Sequence, residues 1–297
     1  MKNFYIIICL MSIQCFAQLT KYDKYDLHIN QANFLKNEKR FREAITEYEK
    51  GLNSLDKHLT STPFFDLAAC AIQMQDYDLA EKYISFGITK GGAPLFYLKN
   101  YKGFDENFKE SSQWKNVFNH YNELRKEYFS TIQNIDIYIE IEKMVEADQV
   151  ARSYFGDTPL DKTEISKCKD SFDSVMMDVD DKNIKRLIEI CKEYGWQSRA
   201  WLLLWHQRGT YKENNFVWNF FIPLINKEIE AGNLYRSFWA DFEDHKSLRE
   251  NGYTLYGELP GKVDVKVNER RKLVNLPPLT QEEISERNSG DDIIFID

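Results

Sequence analysis

The residues that could do chemistry are an isolated histidine and the charged side chains that could join it. His206 ends an apolar segment, residues 201–205, whose tryptophan and leucine side chains would cover every side of a helix. Such a helix is enclosed by others, so His206 is expected in an apolar environment, where pKa values shift. Its candidate partners come from distant segments: Asp148, Arg152, Asp241, Asp244, Arg270 and Arg271.

Two interpretations of this histidine stay open. If the acidic and basic side chains converge with His206 on an open pocket, they form the site of an enzyme of unknown reaction. If they are sealed and mutually paired, they form a buried network that fixes how helices pack. The enclosing apolar residues favour the second interpretation. The chain also contains no GxSxG elbow, no HExxH motif and no Gly-rich phosphate loop.

The sequence predicts no metal site and no cofactor. Asp241 and His245 are spaced i, i+4, as two metal ligands on one helix face would be, but no third ligand accompanies them. A solvated ion pair is therefore the expected role of these two residues.

A second acidic segment partly matches a calcium loop. Asp178, Asp180 and Glu189 fall at ligand positions, but Lys182 and Asn183 occupy positions that require a ligand and a glycine. An aspartate in this segment, Asp180 or the next residue, is therefore expected to cap a helix N-terminus.

Composition limits the possible partners. The 297 residues are 43% hydrophobic and 14% aromatic, which is typical of a folded chain with large side chains buried between helices. The formal net charge of −8 and the lack of a basic patch argue against a nucleic-acid partner and against an anionic membrane surface.

Residues 1–17 have the pattern of a secretory signal peptide. Lys2 supplies the positive charge, and the apolar run at 4–11 is too short to span a bilayer. Residues 15–17 form a small-x-small cleavage site, so the mature chain is expected to begin at Gln18. The predicted location is the periplasm, the cell surface or the extracellular space of a bacterium.

Cleavage would leave three cysteines, an odd number that does not suit a disulfide scaffold. Cys70 and Cys191 lie on apolar helical faces, where they are expected to be small buried hydrophobic residues. A disulfide between Cys168 and Cys191 stays open as an alternative.

Residues 22–122 contain a repeat with a period of 36 residues. The segments starting at Ala32 and Ala68 superimpose, with small residues where two helices of a hairpin would touch and an aromatic residue opening the second helix. The matched pairs are Ala32 with Ala68, Phe41 with Tyr77, Ala44 with Ala80, and Gly51 with Gly87. Both units resemble tetratricopeptide repeats, which implies stacked helical hairpins. The segment with Trp114, Val117, Phe118 and Tyr121 would cap them.

Residues 123–280 predict a compact helical domain with at most a short β-hairpin, followed by an acidic tail at 281–297. A helix-rich segment over 124–154 precedes a loop or linker over 157–178. Helices are predicted at 181–194, 199–207, 216–231, 236–250 and 267–275, and short extended pieces at 253–259 and 262–265.

The second half resembles a bacterial family of unknown function with the signature GW…WLLxxH…LYG…VNERR…LPPL. Here the matching segments begin at Gly195, Trp201, Leu255, Val267 and Leu276, and the resemblance covers about residues 140–280. It implies a domain and a set of residues, but no activity.

Taken together, the sequence predicts an exported protein-binding or scaffold protein of the bacterial envelope. Stacked hairpins create a groove that would hold a protein or peptide, with no membrane span and no nucleic acid. The alternative is an enzyme of unknown reaction with a polar site around His206.

Overall fold

The fold is mainly α, as predicted. A computed structural model describes the backbone of residues 19–57, 60–156 and 162–289, and their side chains outside 154–173. The predicted signal peptide and the last residues of the predicted tail, 290–297, lie outside the described residues. In this part of the chain there are fourteen α-helices and no strand. No helix within it is long and apolar enough to cross a membrane.

The first seven helices form a stack of hairpins. They are α1 (Lys21–Asn37), α2 (Phe41–Leu52), α3 (Thr62–Gln73), α4 (Tyr77–Thr89), α5 (Leu95–Asn100), α6 (Glu106–Glu110) and α7 (Ser112–Ser130). The remaining helices are α8 (Ile135–Gly156), α9 (Lys162–Tyr194), α10 (Trp201–Trp205), α11 (Phe216–Glu230), α12 (Ala240–Asn251), α13 (Val267–Leu273) and α14 (Gln281–Ser289). Short 3₁₀ turns stand at 198–200, 208–210 and 236–239.

The two predicted repeat units have the same geometry. Phe41 and Tyr77 open the second helix of each hairpin. The turns before them contain Lys39 at φ 59° and Gln75 at φ 60°, again 36 residues apart. The four alanines matched by the repeat, Ala32, Ala44, Ala68 and Ala80, are all fully buried. The small residues therefore stand where paired helices touch.

A glycine in each second helix allows close approach to the first. A Cβ atom at Gly51 would lie 2.8 Å from Cδ1 of Ile29, and one at Gly87 would lie 2.5 Å from Cε1 of Phe65. Real Cβ atoms do not come so close, so helix packing requires a glycine at both positions, which are 36 residues apart.

The third predicted element closes this stack. Helix α7 packs on α4 through Val117, which is buried. Phe104 and Phe108 fill the space below it, and the Trp114 ring meets both at 5.7 Å between ring centroids. This aromatic cluster covers the apolar face that the second hairpin cannot bury alone.

The predicted helix-rich segment over 124–154 is interrupted. Helix α7 ends at Ser130 and α8 begins at Ile135. The Thr131 hydroxyl donates to the carbonyl of Tyr128 at 2.8 Å, a local bond that competes with continued helix. The break separates two cores, because the core cluster of the hairpin stack ends at Val117 and a second core cluster runs from Ile141 to Phe242.

The predicted loop over 157–178 is wrong for residues 162–178, which belong to α9. No glycine or proline occurs between 162 and 194, so nothing interrupts the helix once it has started. The expected helix N-cap near Asp180 is wrong for the same reason, since that residue lies in mid-helix. The predicted end is confirmed, because Gly195 follows with φ 73°.

The other predicted helices are found within a few residues of their expected bounds. Gly232 and Gly252, with φ 72° and 75°, follow α11 and α12 as predicted. The expected extended pieces are turns instead. They are joined by one isolated parallel bridge between Thr254 and Val263, and no hairpin of strands occurs among the described residues.

The start of the predicted acidic tail is an ordered helix. Residues 281–289 form α14. Arg287 of this helix donates to the carbonyls of Gly257 at 2.7 Å and Leu259 at 3.0 Å. This arginine fixes the helix to the loop between α12 and α13.

Candidate functional site

Three helices bring the predicted polar residues together. Asp148 and Arg152 stand one turn apart on α8, and His206 follows the last residue of α10. Asp180 of α9, which is not among the predicted partners, completes the group. We call these four residues the His206 cluster.

The members of the His206 cluster are paired with one another. His206 Nε2 lies 3.0 Å from Asp148 Oδ2, although the ring N–H is not aligned for a hydrogen bond. Arg152 Nε donates to Asp148 Oδ1 at 3.3 Å, and a terminal nitrogen of Arg152 donates to Asp180 Oδ1 at 2.6 Å. Gln149 adds a hydrogen bond of 2.8 Å to Asp148 Oδ2.

Little of the cluster is open to solvent. The Asp148 side chain is fully buried, and that of His206 is 10% exposed. Arg152 and Asp180 retain exposures of 30% and 20%. Polar contact with water is therefore confined to the outer, Arg152 and Asp180, end.

The two aspartates respond differently to this environment. Burial alone would raise the pKa of Asp148, but His206, Gln149 and Arg152 together bring that pKa below its ordinary value. Burial raises the pKa of Asp180, and the guanidinium of Arg152 only partly offsets it. The ionised form of Asp148 is thus the one that the cluster stabilises.

Asp241 has its charged neighbours elsewhere. It stands on α12, where burial raises its pKa to about 6, with the negative charges of Glu258 and Asp244 adding to the effect. His245, its expected ion-pair partner, is buried with its ring against Trp205 at 5.9 Å between centroids. The expectation that this pair is solvated is therefore wrong, because His245 is buried. Among the described residues, no three potential metal ligands come together.

Arg270 and Arg271 donate hydrogen bonds to backbone carbonyls of the neighbouring loops. Arg270 Nε donates to the carbonyl of Leu255 at 2.7 Å, and its terminal nitrogens pair with Asp264. Arg271 donates to the carbonyls of Pro277 and Tyr256. These hydrogen bonds hold the loops around α13, and they do not involve the His206 cluster.

Asp244 anchors the same loop from the other side. Its fully buried carboxylate accepts from the backbone N–H groups of Tyr256 at 2.6 Å, Glu258 at 2.7 Å and Leu259 at 3.2 Å. The segments that carry the LYG and NERR letters of the signature therefore meet in a structural network.

The two parts of the chain meet at a junction that the sequence analysis did not identify. Asp23 of α1 pairs with both Nε and a terminal nitrogen of Arg236. It also accepts from Asn275 Nδ2 at 2.7 Å, while Asn30 Nδ2 donates to the carbonyl of Asn275 at 2.8 Å. The signal was the repeated Tyr-Asp of residues 22–23 and 25–26, which places acids between aromatic residues on one helix.

The described cysteines are free and buried. Burial raises the pKa of Cys70 to about 11 and raises that of Cys191 as well, so both thiols are inert at neutral pH. Positions 168 and 191 stand 23 residues apart on the continuous helix α9, about 34 Å at 1.5 Å per residue, and Cys191 is free, so the alternative of a disulfide between them is wrong.

Comparison with protein-family models, with curated proteins and with solved structures finds no match for this chain. The resemblances to tetratricopeptide repeats and to the GW…NERR family therefore stay predictions.

Proposed function

We propose that this chain is an exported binding protein that holds a protein or peptide on its helical hairpins, and that the His206 cluster is structural. The mutual pairing of Asp148, Arg152 and His206, with the Asp148 carboxylate fully buried, supports the structural role of the cluster. A catalytic group needs a free side on an open pocket. These residues direct their charges at one another. The exposed apolar side chains of α1 are the observation that carries the binding role.

The hairpin stack supports a binding role because it exposes large apolar side chains. Leu27 and Phe34, two helical turns apart on one face of α1, are 58% and 56% exposed. We call these two residues the α1 apolar surface.

An apolar surface of this kind suits an amphipathic partner segment. Anchors spaced i, i+7 on an exposed helix match the spacing with which a helical peptide presents its own apolar side chains. The surrounding α1 positions are mixed in charge, so we expect apolar contacts to dominate over electrostatic attraction.

The test is site-specific photocrosslinking in the native host. A benzoylphenylalanine at position 34 is expected to give a discrete crosslinked product. The same residue at position 216 is the matched control, because Phe216 is 54% exposed and lies on α11, away from the α1 apolar surface. The substitution Leu27→Glu is expected to abolish the product at position 34.

Equal products at positions 34 and 216, or none at either, would contradict binding at this surface. Export is tested on the same material, where the chain is expected to begin at Gln18. A soluble cytoplasmic pool that retains Met1 would contradict export.

A further inference from the structure

A cavity of about 410 Å³ lies between the hairpin stack and the second core. Its size is within the range of small-molecule sites, roughly 300–1,000 Å³. Six aromatic side chains from three segments line it: Tyr22 and Tyr25, Trp196 and Trp201, Tyr235 and Phe238.

The walls of the cavity are held in place by contacts within the chain. Tyr22 meets Tyr235 at 6.4 Å between ring centroids, and Trp196 meets Phe238 at 5.6 Å. The ion pair between Asp23 and Arg236 fixes the same two segments from outside the cavity. A ligand would therefore enter a preformed site.

Polar atoms of the cavity residues lack partners. Asp26 Oδ2 is buried without a hydrogen bond, and so are the indole nitrogens of Trp196 and Trp201. A buried polar group without a hydrogen-bond partner destabilises the folded state. Among the described residues that line the cavity there is no lysine or arginine. The chain thus supplies an acceptor and two donors but no countercharge inside the cavity.

The pKa of Asp26 reflects the absence of a positively charged side chain in the described lining of the cavity. Burial raises the pKa of Asp26 to about 7, against the opposing effect of Asn275, and the charge of Asp23 raises it while Arg236 lowers it. The remaining titratable neighbours are the phenols of Tyr22, Tyr25 and Tyr235.

We propose that this cavity binds a small organic cation, an amine or quaternary ammonium group that carries a hydrogen-bond acceptor at its other end. Aromatic faces attract a cation, and the Asp26 carboxylate completes its neutralisation. The indole N–H groups of Trp196 and Trp201 donate hydrogen bonds to the acceptor atom of the ligand. This site is independent of the α1 apolar surface.

The test uses two probes of the same shape. Acetylcholine has a quaternary ammonium group and an ester acceptor, and 3,3-dimethylbutyl acetate replaces its nitrogen by carbon. Titration calorimetry, with tryptophan fluorescence as a second readout, is expected to show that acetylcholine binds about tenfold or more tightly than 3,3-dimethylbutyl acetate at pH 8.

Two variants locate the preference. In Asp26→Asn the preference for acetylcholine is expected to fall to about twofold or less, because the charge is lost and the shape is kept. The control is Asp78→Asn, an exposed aspartate on α4 outside the cavity, which is expected to bind like the wild type. Trp201→Phe keeps an aromatic ring but removes the indole N–H, so the affinity for both esters is expected to fall several-fold.

Several outcomes overturn the proposal. These are equal affinity for the two esters, an unchanged preference in Asp26→Asn, or binding of a neutral sugar such as cellobiose without either ester. The absence of binding by acetylcholine and by phenethylamine up to ~10 mM would also overturn it, since such weak affinity is no recognition. If Asp26→Asn fails to fold, the wild-type comparison of the two esters decides.

Discussion

The His206 cluster and the cavity beside α1 place similar residues in similar surroundings, and they differ in pairing. Each contains an aspartate that is shielded from solvent, Asp148 fully and Asp26 in part. Asp148 has Arg152, His206 and Gln149 around it. Asp26 Oδ2 and two indole N–H groups have no partner. The two carboxylates therefore differ in their charged neighbours within the chain, and this difference is the basis for proposing a structural role for the His206 cluster and ligand binding for the cavity.

One short helix takes part in both regions. Trp201 at the start of α10 lines the cavity, and His206 just after its end belongs to the cluster. The stacked rings of Trp201 and Trp205, 5.4 Å apart, stiffen the helix between them. The opposite pKa directions of Asp148 and Asp26 follow from the partners at each end.

The strongest way to break this comparison is to remove the centre of the paired cluster. Asp148→Ala leaves Arg152 and His206 without their shared carboxylate, so we expect a loss of about 3 kcal/mol in the free energy of unfolding. Urea denaturation measures it. Glu146→Ala, at an exposed position on the same helix, is the control and should change stability by less than about 0.5 kcal/mol. Equal effects of the two substitutions would show that the pairing adds nothing.

Removing the histidine should have a smaller effect of the same sign. We expect His206→Ala to lose about 1–3 kcal/mol, since it leaves one side of Asp148 unpaired. The exposed His120 provides the matched substitution. A thermal melt with an unchanged midpoint for His206→Ala would contradict the structural role and would favour the enzyme interpretation.

Substitution of Asp26 should change the free energy of unfolding in the opposite direction. The folded pKa of Asp26, about 7, lies above its ordinary value, so the folded state binds more protons between about pH 4 and pH 7. Wild-type stability therefore falls as the pH rises through this window. Asp23 does not titrate there, because Arg236 holds its pKa well below the usual range.

Asp26→Asn removes the contribution of Asp26 to this pH dependence, and the contribution of Asp241, whose pKa burial also raises, remains. Because Asp26 is only partly buried, we expect the variant to be more stable than the wild type by about 1–2 kcal/mol at pH 8, with no difference near pH 4. Urea denaturation at both pH values measures this. A variant that is less stable at pH 8 would show that Asp26 is a satisfied structural group.

Much of the architecture could be predicted from the sequence, for reasons visible in particular residues. The period of 36 residues predicted the two hairpins, because Gly51 and Gly87 must approach a neighbouring helix closely. Gly195 and Gly252 marked helix ends because they adopt positive φ. The start of α9 was not predicted, because a helix with an exposed face has many polar residues and its composition then resembles that of a loop.

The candidate site was predicted in part. Asp148, Arg152 and His206 do converge, whereas Asp241 interacts with Glu258 and Asp244, and Arg270 binds the Leu255 carbonyl. Their residue types could not distinguish these outcomes, because a charged side chain in an apolar segment requires some partner without specifying which one.

The sequence by itself determined the helical class, the repeat and most helix ends, because these depend on interactions within a few turns and on the conformational range of single residues. Only the tertiary structure decided which buried charges are paired. Asp23 and Asp26 are three residues apart on α1, yet Asp23 meets Arg236 and Asp26 faces the aromatic cavity. That difference arises from segments more than 200 positions away, whose approach is set by packing of the whole chain.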